Sequence, residues 1–542
     1  MKSESSVLRD FTVDSRVWLL SAVALIIGIG ATFLAVVLLK LIAAATNLFY
    51  YHRLSTVPVS PAGSPLGPWM VMVPVVGGLF VGWMARFGSD KIRGHGIPEA
   101  IEAILLHRAR VDPKVAVLKP VSAAIAIGSG GPFGAEGPII MTGGAFGSLI
   151  AQWFKLTDAE RTTLLVAGAA AGMSATFATP VAAILIAVEL LLFELRPRSL
   201  VPVAIASATA AILRGYFLGP GPLFPMPAIG SVARIPTSLG SLLLGGLVGL
   251  IAAAMSRLMY TFEDLFERLP VHWMWWPAVG GLGVGIGGLV FPQGLGVGYD
   301  NIARLLRGNA PIALILGIIL VKSLMWAFSL GSGTSGGVLA PLLMIGGAVG
   351  ALAAQLAHAA TDMQAFWALM GMGAMLAGSL GVPLTAILFS LEVTHCLPAL
   401  LPLTLACISA YLVTALLMPR SILTEKLSRR GYHLTREYGV DPLEIVVIRD
   451  LMSPADPSAA EPLPGIFVYA DSTCRSAAEL MATEALVSLP VVDRDTNQVS
   501  GAITLQDLLK GRSKAVVREN ERLSLIAHSK MSARGHCSIS NR

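Results

Sequence analysis

Long apolar stretches follow one another along most of the chain, from about Val17 to Met418, and the text that follows is charged. The first stretch, Val17 to Ala45, fits a membrane-crossing helix and is too long for the apolar part of a signal peptide. We therefore predict a short cytoplasmic segment over 1–16, a membrane domain over 17–430 and a cytoplasmic tail. Basic residues flank both ends of the membrane domain, which predicts that the N-terminus and the C-terminus are cytoplasmic.

Glycine and proline interrupt many of the apolar stretches and leave segments shorter than the roughly 20 residues that a simple span needs. Irregular backbone at membrane depth is tolerated only where protein or a water-lined cavity surrounds it. We therefore predict an all-α polytopic membrane protein with broken helices that point into its interior. The prolines concerned are Pro98, Pro132, Pro138, Pro180, Pro341 and Pro383.

The composition agrees with a membrane protein, since 54% of the residues are hydrophobic and only 13% are charged. Soluble proteins are about 25% charged. This excludes a disordered protein, an ordinary cytosolic enzyme and a nucleic-acid binder, for which a net charge of +6 is small. The four scattered cysteines form no metal-binding pattern. The sequence shows no nucleophile–base motif or P-loop, so we expect no enzymatic activity, no metal and no cofactor.

An internal repeat is the strongest organisational signal. The segment that begins at Leu118 matches, without gaps, the segment that begins at Val321, 203 positions later, and a looser match of Gly94 and Gly96 with Gly296 and Gly298 is slipped by one. We predict two homologous halves, over about 17–215 and 237–425, with a binding site at their interface. The matched pairs include Lys119/Lys322, Gly134/Gly337, Pro138/Pro341, Gly143/Gly346, Gly147/Gly350, Pro180/Pro383 and Glu189/Glu392.

Three glycine-rich turns lead into apolar runs: Gly94–Ala100, Gly128–Pro138 and Gly331–Pro341. Glycine lets backbone N–H groups face a ligand, and a helix that begins there directs its free N–H groups and positive dipole end to the same point. Several such helix starts in a low dielectric would bind an anion without a buried counter-charge that would hold it too tightly. For any single glycine, close helix packing of the GxxxG type is the alternative.

Glu136 lies between two apolar runs, and an ionisable group inside a membrane domain indicates function. A carboxylate at a helix N-terminus is itself an anion, so we predict that it occupies the anion site and leaves it on protonation. The alternative is a glutamate that merely faces an aqueous vestibule. The repeat places apolar Leu339 at the equivalent position, so the carboxylate is not needed to build the turn.

Together these segments resemble the CLC family of chloride channels and proton-coupled chloride exchangers. The family's GSGIP, G(K/R)EGP and GxFxP blocks correspond to GHGIP (Gly94–Pro98), GAEGP (Gly134–Pro138) and GVLAP (Gly337–Pro341). The resemblance implies a homodimer with one anion pore per subunit, built from two inverted halves. It makes Glu136 the gate. The anion-binding residues that it implies are Gly94, His95, Gly96, Ile97, Pro98, Gly134, Gly137, Gly337, Val338, Leu339 and Leu423.

The chain departs from the family pattern at several of these positions. His95 replaces a serine that contacts the anion, Ala135 replaces a basic residue before the gate, and Leu339 replaces a phenylalanine. Leu423 stands where the family has its pore tyrosine. The backbone sites remain, so we expect binding of chloride or a similar monovalent anion. His95 is either a pH-sensitive group or a structural, hydrogen-bonded histidine.

The sequence does not decide whether anion transport is coupled to protons. Proton-coupled members carry a glutamate directly after the one that matches Glu189, and here that position is Leu190. This favours a passive channel. With a four-residue shift, however, Glu194 resembles the proton-transfer glutamate of some exchangers. The alternative for Glu194 is a cytoplasmic-end residue paired with Arg196 or Arg198.

The tail resembles a single CBS unit, a small cytoplasmic α/β domain that we place at 431–511, followed by a disordered segment over 512–542. Gly501, Thr504 and Asp507 fit the G-x-x-(S/T)-x-x-D motif of that family, in which the last two contact an adenine nucleotide. A purely structural role in dimerisation is the alternative.

We thus predict transport of chloride or a similar anion through a pore gated by Glu136, with a passive channel preferred and an H⁺/Cl⁻ antiporter as the alternative. A nucleotide-sensing membrane protein without ion flux is a more remote alternative. A cation transporter would need several inward carboxylates, whereas Asp is absent from 115–157 and both Asp and Glu are absent from 301–361.

Overall fold

The computed structural model describes residues 15–227, 229–230, 234–431, 443, 446–454, 465–494 and 496–512. They divide into two compact units, one within Thr12–Arg436 and one within Glu437–Arg542. The predicted disordered segment 512–542 lies outside the described residues except for its first residue, and the predicted segment 1–16 lies outside them except for its last two.

The larger unit is built from helices, and nine helical stretches among its described residues are long and apolar enough to cross a membrane. Its helices are α1 (Arg16–Tyr51), α2 (Met72–Phe87), α3 (Ile97–Leu106), α4 (Pro113–Gly128), α5 (Glu136–Gln152), α6 (Asp158–Phe177), α7 (Pro180–Ile186, continued by a π-helical turn over Ala187–Leu192), α8 (Pro197–Leu218), α9 (Ile235–Glu267), α10 (Trp276–Val290), α11 (Tyr299–Leu306), α12 (Ile312–Leu316, followed by a π-helical turn over Gly317–Lys322), α13 (Ser323–Gly331), α14 (Leu339–Leu356), α15 (Thr361–Leu380), α16 (Pro383–Thr394), α17 (Leu400–Leu417) and α18 (Ile422–Arg429).

Most of the interrupting prolines mark helix starts. Pro98, Pro138 and Pro341 lie in the first turns of α3, α5 and α14, and Pro180 and Pro383 open α7 and α16. Proline is tolerated there because the first N–H groups of a helix have no intrahelical partner. The buried starts of the ten-residue helix α3 and of α5 and α14 are the broken helices that the sequence predicts.

Equivalent contacts recur in the two halves at the repeat offset. A Cβ on Gly143 would lie 2.3 Å from the carbonyl oxygen of Gly168, and a Cβ on Gly346 would lie 2.3 Å from that of Gly371. These glycines let α5 pack closely on α6 and α14 on α15, as the packing alternative proposes for them.

Glu189 and Glu392 show that the two halves are related by an approximate two-fold axis. The Glu189 carboxylate accepts hydrogen bonds from the N–H groups of Leu384 (3.2 Å) and Thr385 (2.8 Å) at the start of α16. The Glu392 carboxylate accepts hydrogen bonds from Val181 (2.9 Å) and Ala182 (2.8 Å) at the start of α7. Each half therefore caps a helix of the other.

The smaller unit carries a four-stranded sheet with one helix along the chain between its second and third strands. The strands are β1 (Ser453–Pro454), β2 (Val468–Tyr469), β3 (Ser488–Val492) and β4 (Val499–Thr504), and the helix is α19 (Cys474–Glu484). Their order in the sheet is β1-β4-β3-β2, with β2 parallel to β3 and the other pairs antiparallel. A second helical stretch, over 505–512, follows β4 directly.

Candidate functional site

The glycine-rich turns of the two halves meet in the interior of the larger unit. Gly134 and Gly337, which are equivalent in the repeat, exchange two backbone hydrogen bonds of 3.1 and 2.9 Å. The N–H of Gly94 donates to the carbonyl of Thr334 at 2.9 Å and so joins the Gly94–Ala100 turn to the second half. The helices α3, α5 and α14 therefore begin around one point.

Two glycines make this approach possible. A Cβ on Gly137 would lie 1.7 Å from the carbonyl oxygen of His95, and one on Gly96 would lie 2.4 Å from the carbonyl oxygen of Gly137. Gly96 also has a φ of 92°, which side-chain-bearing residues rarely adopt. The turns before α3 and α5 are thus in backbone contact, and the first N–H groups of both helices face a shared region.

The Glu136 carboxylate lies at this meeting point and is fully buried. A Cβ on Gly134 would lie 1.6 Å from its Oε2, and one on Gly337 would lie 2.9 Å from the same atom. The backbone N–H groups of Glu136 itself and of Ala340, in the first turn of α14, face the carboxylate, as does the Tyr299 hydroxyl. Among the described residues, neither carboxylate oxygen completes a hydrogen bond of good geometry. The carboxylate thus occupies a pocket of donors that would suit a small anion.

His95 lies beside this pocket and is buried. Its Nδ1 has no hydrogen-bond partner within the part of the chain that the structure describes. A purely structural histidine would use this nitrogen in a hydrogen bond, and Nδ1 of His95 makes none with the described residues. The charged groups around the imidazole are Glu99 of α3, Lys119 of α4, and Lys426 and Arg430 at the end of α18.

Val338, Leu339 and Leu423 are fully buried and bring no polar side-chain atom to the site. Leu339 is the first residue of α14, so its contribution to anion binding is limited to the backbone. Leu423 lies in α18, which an ion pair of 2.5 Å between Lys426 and Glu99 joins to α3.

Two buried lysines each hold a glycine-containing turn of their own half in place, at Gly94 and at the loosely matched Gly296, and their role was not recognised from the sequence. The Lys119 ammonium donates to the carbonyls of Ile92 (2.9 Å) and Gly94 (2.8 Å). The Lys322 ammonium donates to the carbonyls of Gly294 (3.1 Å) and Gly296 (3.0 Å). The retention of a lysine at equivalent positions of both halves, inside apolar text, was the available signal.

Tyr299 was also missed. It opens α11, and its hydroxyl reaches Glu136 from a distance of 163 residues along the chain. No local motif marks it, and the family resemblance directs attention elsewhere, to the pore-tyrosine position that Leu423 occupies near the end of the membrane domain.

The acidic residues after α7 have different surroundings. Glu189 is engaged in capping α16, and the neighbouring Leu190 is fully buried. Glu194 accepts hydrogen bonds from Ser199 and Arg198 and forms an ion pair of 3.4 Å with Arg196. These contacts match the paired alternative for Glu194, and its side chain remains 28% exposed.

In the smaller unit, the residues of the predicted nucleotide motif contact one another. The Thr504 hydroxyl donates to Asp507 at 2.7 Å and holds the pKa of that carboxyl below its usual range. The backbone N–H of Asp507 donates to the Thr504 hydroxyl at 3.2 Å, and the backbone N–H of Thr504 donates to the Asp507 carboxylate at 3.1 Å. The two bonds form a capping box for the helix over 505–512. A Cβ on Gly501 would lie 2.3 Å from the carbonyl oxygen of Ser453, so this glycine permits the pairing of β1 with β4.

Comparisons with known proteins agree with this architecture. The model of the voltage gated chloride channel family matches residues 77–415, and the CBS domain model matches residues 448–514. The H(+)/Cl(-) exchange transporter ClcA of Citrobacter koseri is 31% identical over 363 residues, which are 64% of this chain and 76% of that protein. The putative chloride channel protein ClcB-like of Ralstonia nicotianae is 30% identical over 375 residues, which are 67% of this chain and 86% of that protein.

Solved structures share the fold. A slow cyanobacterial Cl⁻/H⁺ antiporter superposes with a TM-score of 0.68 at 22% identity, over 77% of this chain and 99% of its own. A eukaryotic CLC transporter superposes with a TM-score of 0.64 at 18% identity, over 91% of this chain and 99% of its own. With the paired helix starts around Glu136 and the family match over most of the helical unit, the chain belongs to the CLC family of anion-transporting multi-pass membrane proteins and carries a CBS domain.

Proposed function

We propose that this protein exchanges chloride or a similar monovalent anion for protons across a membrane, with Glu136 as the gate. The observation that carries the proposal is the fully buried Glu136 carboxylate among the helix starts of both halves. A carboxylate and a free anion compete for the same N–H groups, so only one of them can occupy the pocket.

Anion binding would use the backbone N–H groups at the starts of α3, α5 and α14, together with the side chain of His95. The buried ammonium groups of Lys119 and Lys322 are already bound to carbonyl oxygens, so they act on the anion only over a distance. Binding without a direct counter-charge permits release, which transport requires.

Protonation of Glu136 would neutralise the carboxylate and remove its advantage over a free anion, so that the side chain could leave the pocket. Each cycle of anion entry and exit would then carry a proton on Glu136 from one side of the protein. Exchange also needs a proton acceptor toward the other side, for which Glu194 is our candidate because it is ionisable and its side chain is partly exposed.

Our sequence-based preference for a passive channel is not supported by the comparisons. The ClcA relatives, at 31% identity, are named as H(+)/Cl(-) exchange transporters, and this favours the antiporter. The channel remains the second candidate because buried, apolar Leu190 stands where coupled members carry a glutamate.

Simultaneous measurement of both fluxes tests the proposal. Purified protein in liposomes that hold a chloride gradient should move protons uphill, in a fixed ratio to chloride. Chloride flux without proton movement would favour the channel, and the absence of both fluxes would contradict anion transport by this site.

The remaining expectations complete the proposal. We propose a homodimer with cytoplasmic termini, in which the single CBS unit pairs with that of the second subunit. Because Thr504 and Asp507 satisfy each other in a capping box, we favour a structural role for this motif over adenine-nucleotide binding.

A further inference from the structure

A cavity of about 760 Å³ opens beside the gate. Ala135, the residue before Glu136, and Tyr299, whose hydroxyl faces the Glu136 carboxylate, both line it. The cavity is therefore in contact with the predicted anion pocket and lies on one approach to it.

Three cationic side chains from three different helices line this cavity: Lys40 of α1, Arg214 of α8 and Arg304 of α11. Asp300 is the carboxylate among the lining residues. The cations outnumber it, so the cavity favours anions over cations. In the family pattern a basic residue precedes the gate, and here Ala135 at that position faces a cavity whose positive charge comes from elsewhere in the fold.

Arg214 has the features of a ligand-binding side chain. Only 6% of the residue is exposed, and one end of its guanidinium is fixed by a hydrogen bond of 2.8 Å from Nη1 to the carbonyl oxygen of Gly219. Its Nε is buried and has no protein partner in the described ranges. A buried, unsatisfied donor of a charged group is costly unless a ligand or water satisfies it.

We infer that Arg214, assisted by the field of Lys40 and Arg304, binds the transported anion in this cavity before it reaches the gate. The site is a second, outer anion site, and a planar guanidinium with a free N–H suits chloride and small oxyanions alike. The inference rests on anion transport by this protein and does not depend on its coupling to protons.

Chloride flux in oriented proteoliposomes tests the inference, with the chloride concentration varied on one side at a time and the ionic strength held constant. Arg214→Gln should raise the half-saturating chloride concentration at least threefold on one side only, with the maximal rate within twofold of wild type. Arg214→Lys keeps a positive charge, so its half-saturating chloride concentration should lie between those of wild type and Arg214→Gln. Arg257→Gln is the matched control, because Arg257 also donates to a carbonyl at a helix end, that of Leu417 at 3.0 Å, and does not line the cavity.

An unchanged half-saturation, or a fall in maximal rate alone, would overturn the inference and leave Arg214 as a cap of α8. If Arg214→Gln does not fold, the double variant Lys40→Gln/Arg304→Gln is used instead. Both residues are exposed, and the variant removes their contribution to the positive potential in the cavity. It should raise the half-saturation on the same side and weaken its dependence on ionic strength, and no change in either would overturn the inference. Absence of flux in the wild-type protein would instead contradict the proposed function.

Discussion

At the scale of single residues, Glu136 has the most direct consequence. Glu136→Gln keeps the shape of the side chain and removes its charge and its titration. We expect anion flux that no longer depends on pH and that no longer moves protons, because a neutral side chain does not compete with the anion. Parallel chloride and proton flux measurements between pH 4 and 8 check this. Glu479→Gln, at an exposed residue of the smaller unit, is the control, and a pH dependence that survives in Glu136→Gln would remove Glu136 from the gate.

Glu194 allows a separate test of the proton route. Glu194→Gln should lower the proton flux at least tenfold and leave chloride flux within about threefold, since Glu194 lies outside the anion pocket. The same liposome assay measures both quantities. Arg196→Gln serves as a second variant, because it perturbs the ion pair and keeps the carboxylate. A proton flux equal to that of wild type in Glu194→Gln would place the inner acceptor elsewhere.

The residues of the site differ in how well the sequence predicted them. The glycine-rich turns were predictable because each is a short local motif with a counterpart in the other half, and Glu136 was predictable as the acidic residue of the Gly128–Pro138 turn. Tyr299 reaches Glu136, and Arg214 the adjoining cavity, from distant helices, and no local pattern reports such a contact. The role of Glu194 could not be decided from the sequence, because its pairing with Arg198 depends on how the chain turns between α7 and α8.

At the scale of elements, the starts of α3, α5 and α14 must approach one another closely, and two neighbouring glycines test this in opposite ways. An added methyl at Gly134 meets the end of the Glu136 side chain, which can move, whereas one at Gly137 meets the backbone carbonyl of His95, which cannot. Gly134→Ala should therefore fold and displace the carboxylate, giving chloride flux with weakened pH dependence.

Gly137→Ala should in contrast separate α3 from α5 and cost more than about 3 kcal/mol, at or above the upper end for overpacking. We expect a protein that aggregates on size-exclusion chromatography in detergent, while Gly134→Ala elutes as wild type does. If both variants behaved alike in folding and in flux, the close approach of these two helix starts would be contradicted.

The helix starts themselves were predicted better than their contacts. Proline and glycine fix where α3, α5, α7, α14 and α16 can begin, so the sequence marks these positions directly. Which helix start faces which depends on long-range packing, and here the repeat supplied part of the answer, because equivalent glycines meet at Gly134 and Gly337.

At the scale of the whole molecule, the approximate two-fold relation of the halves makes a quantitative prediction about Glu189 and Glu392. Each carboxylate accepts two backbone hydrogen bonds from the helix that the other residue belongs to. Replacing either by alanine leaves two N–H groups without a partner and should cost about 1–3 kcal/mol. Glu189→Ala should cost somewhat more, because Glu189 also accepts a hydrogen bond from the Thr385 hydroxyl, and the equivalent residue in the first half is Ala182.

The double variant is the sharper test of this symmetry. Both caps join the same two helices, α7 and α16, so once one cap is lost the contact is already loosened and the second loss costs less. We expect the fall in apparent unfolding temperature for Glu189→Ala/Glu392→Ala to be smaller than the two single effects combined, by the equivalent of about 0.5 kcal/mol or more. Thermal unfolding in detergent of wild type, both single variants, the double variant and the control Glu267→Ala, at an exposed position near the end of α9, measures this. Strictly additive effects, or single effects that differ more than threefold, would show that the two caps act independently and that the halves do not exchange equivalent contacts.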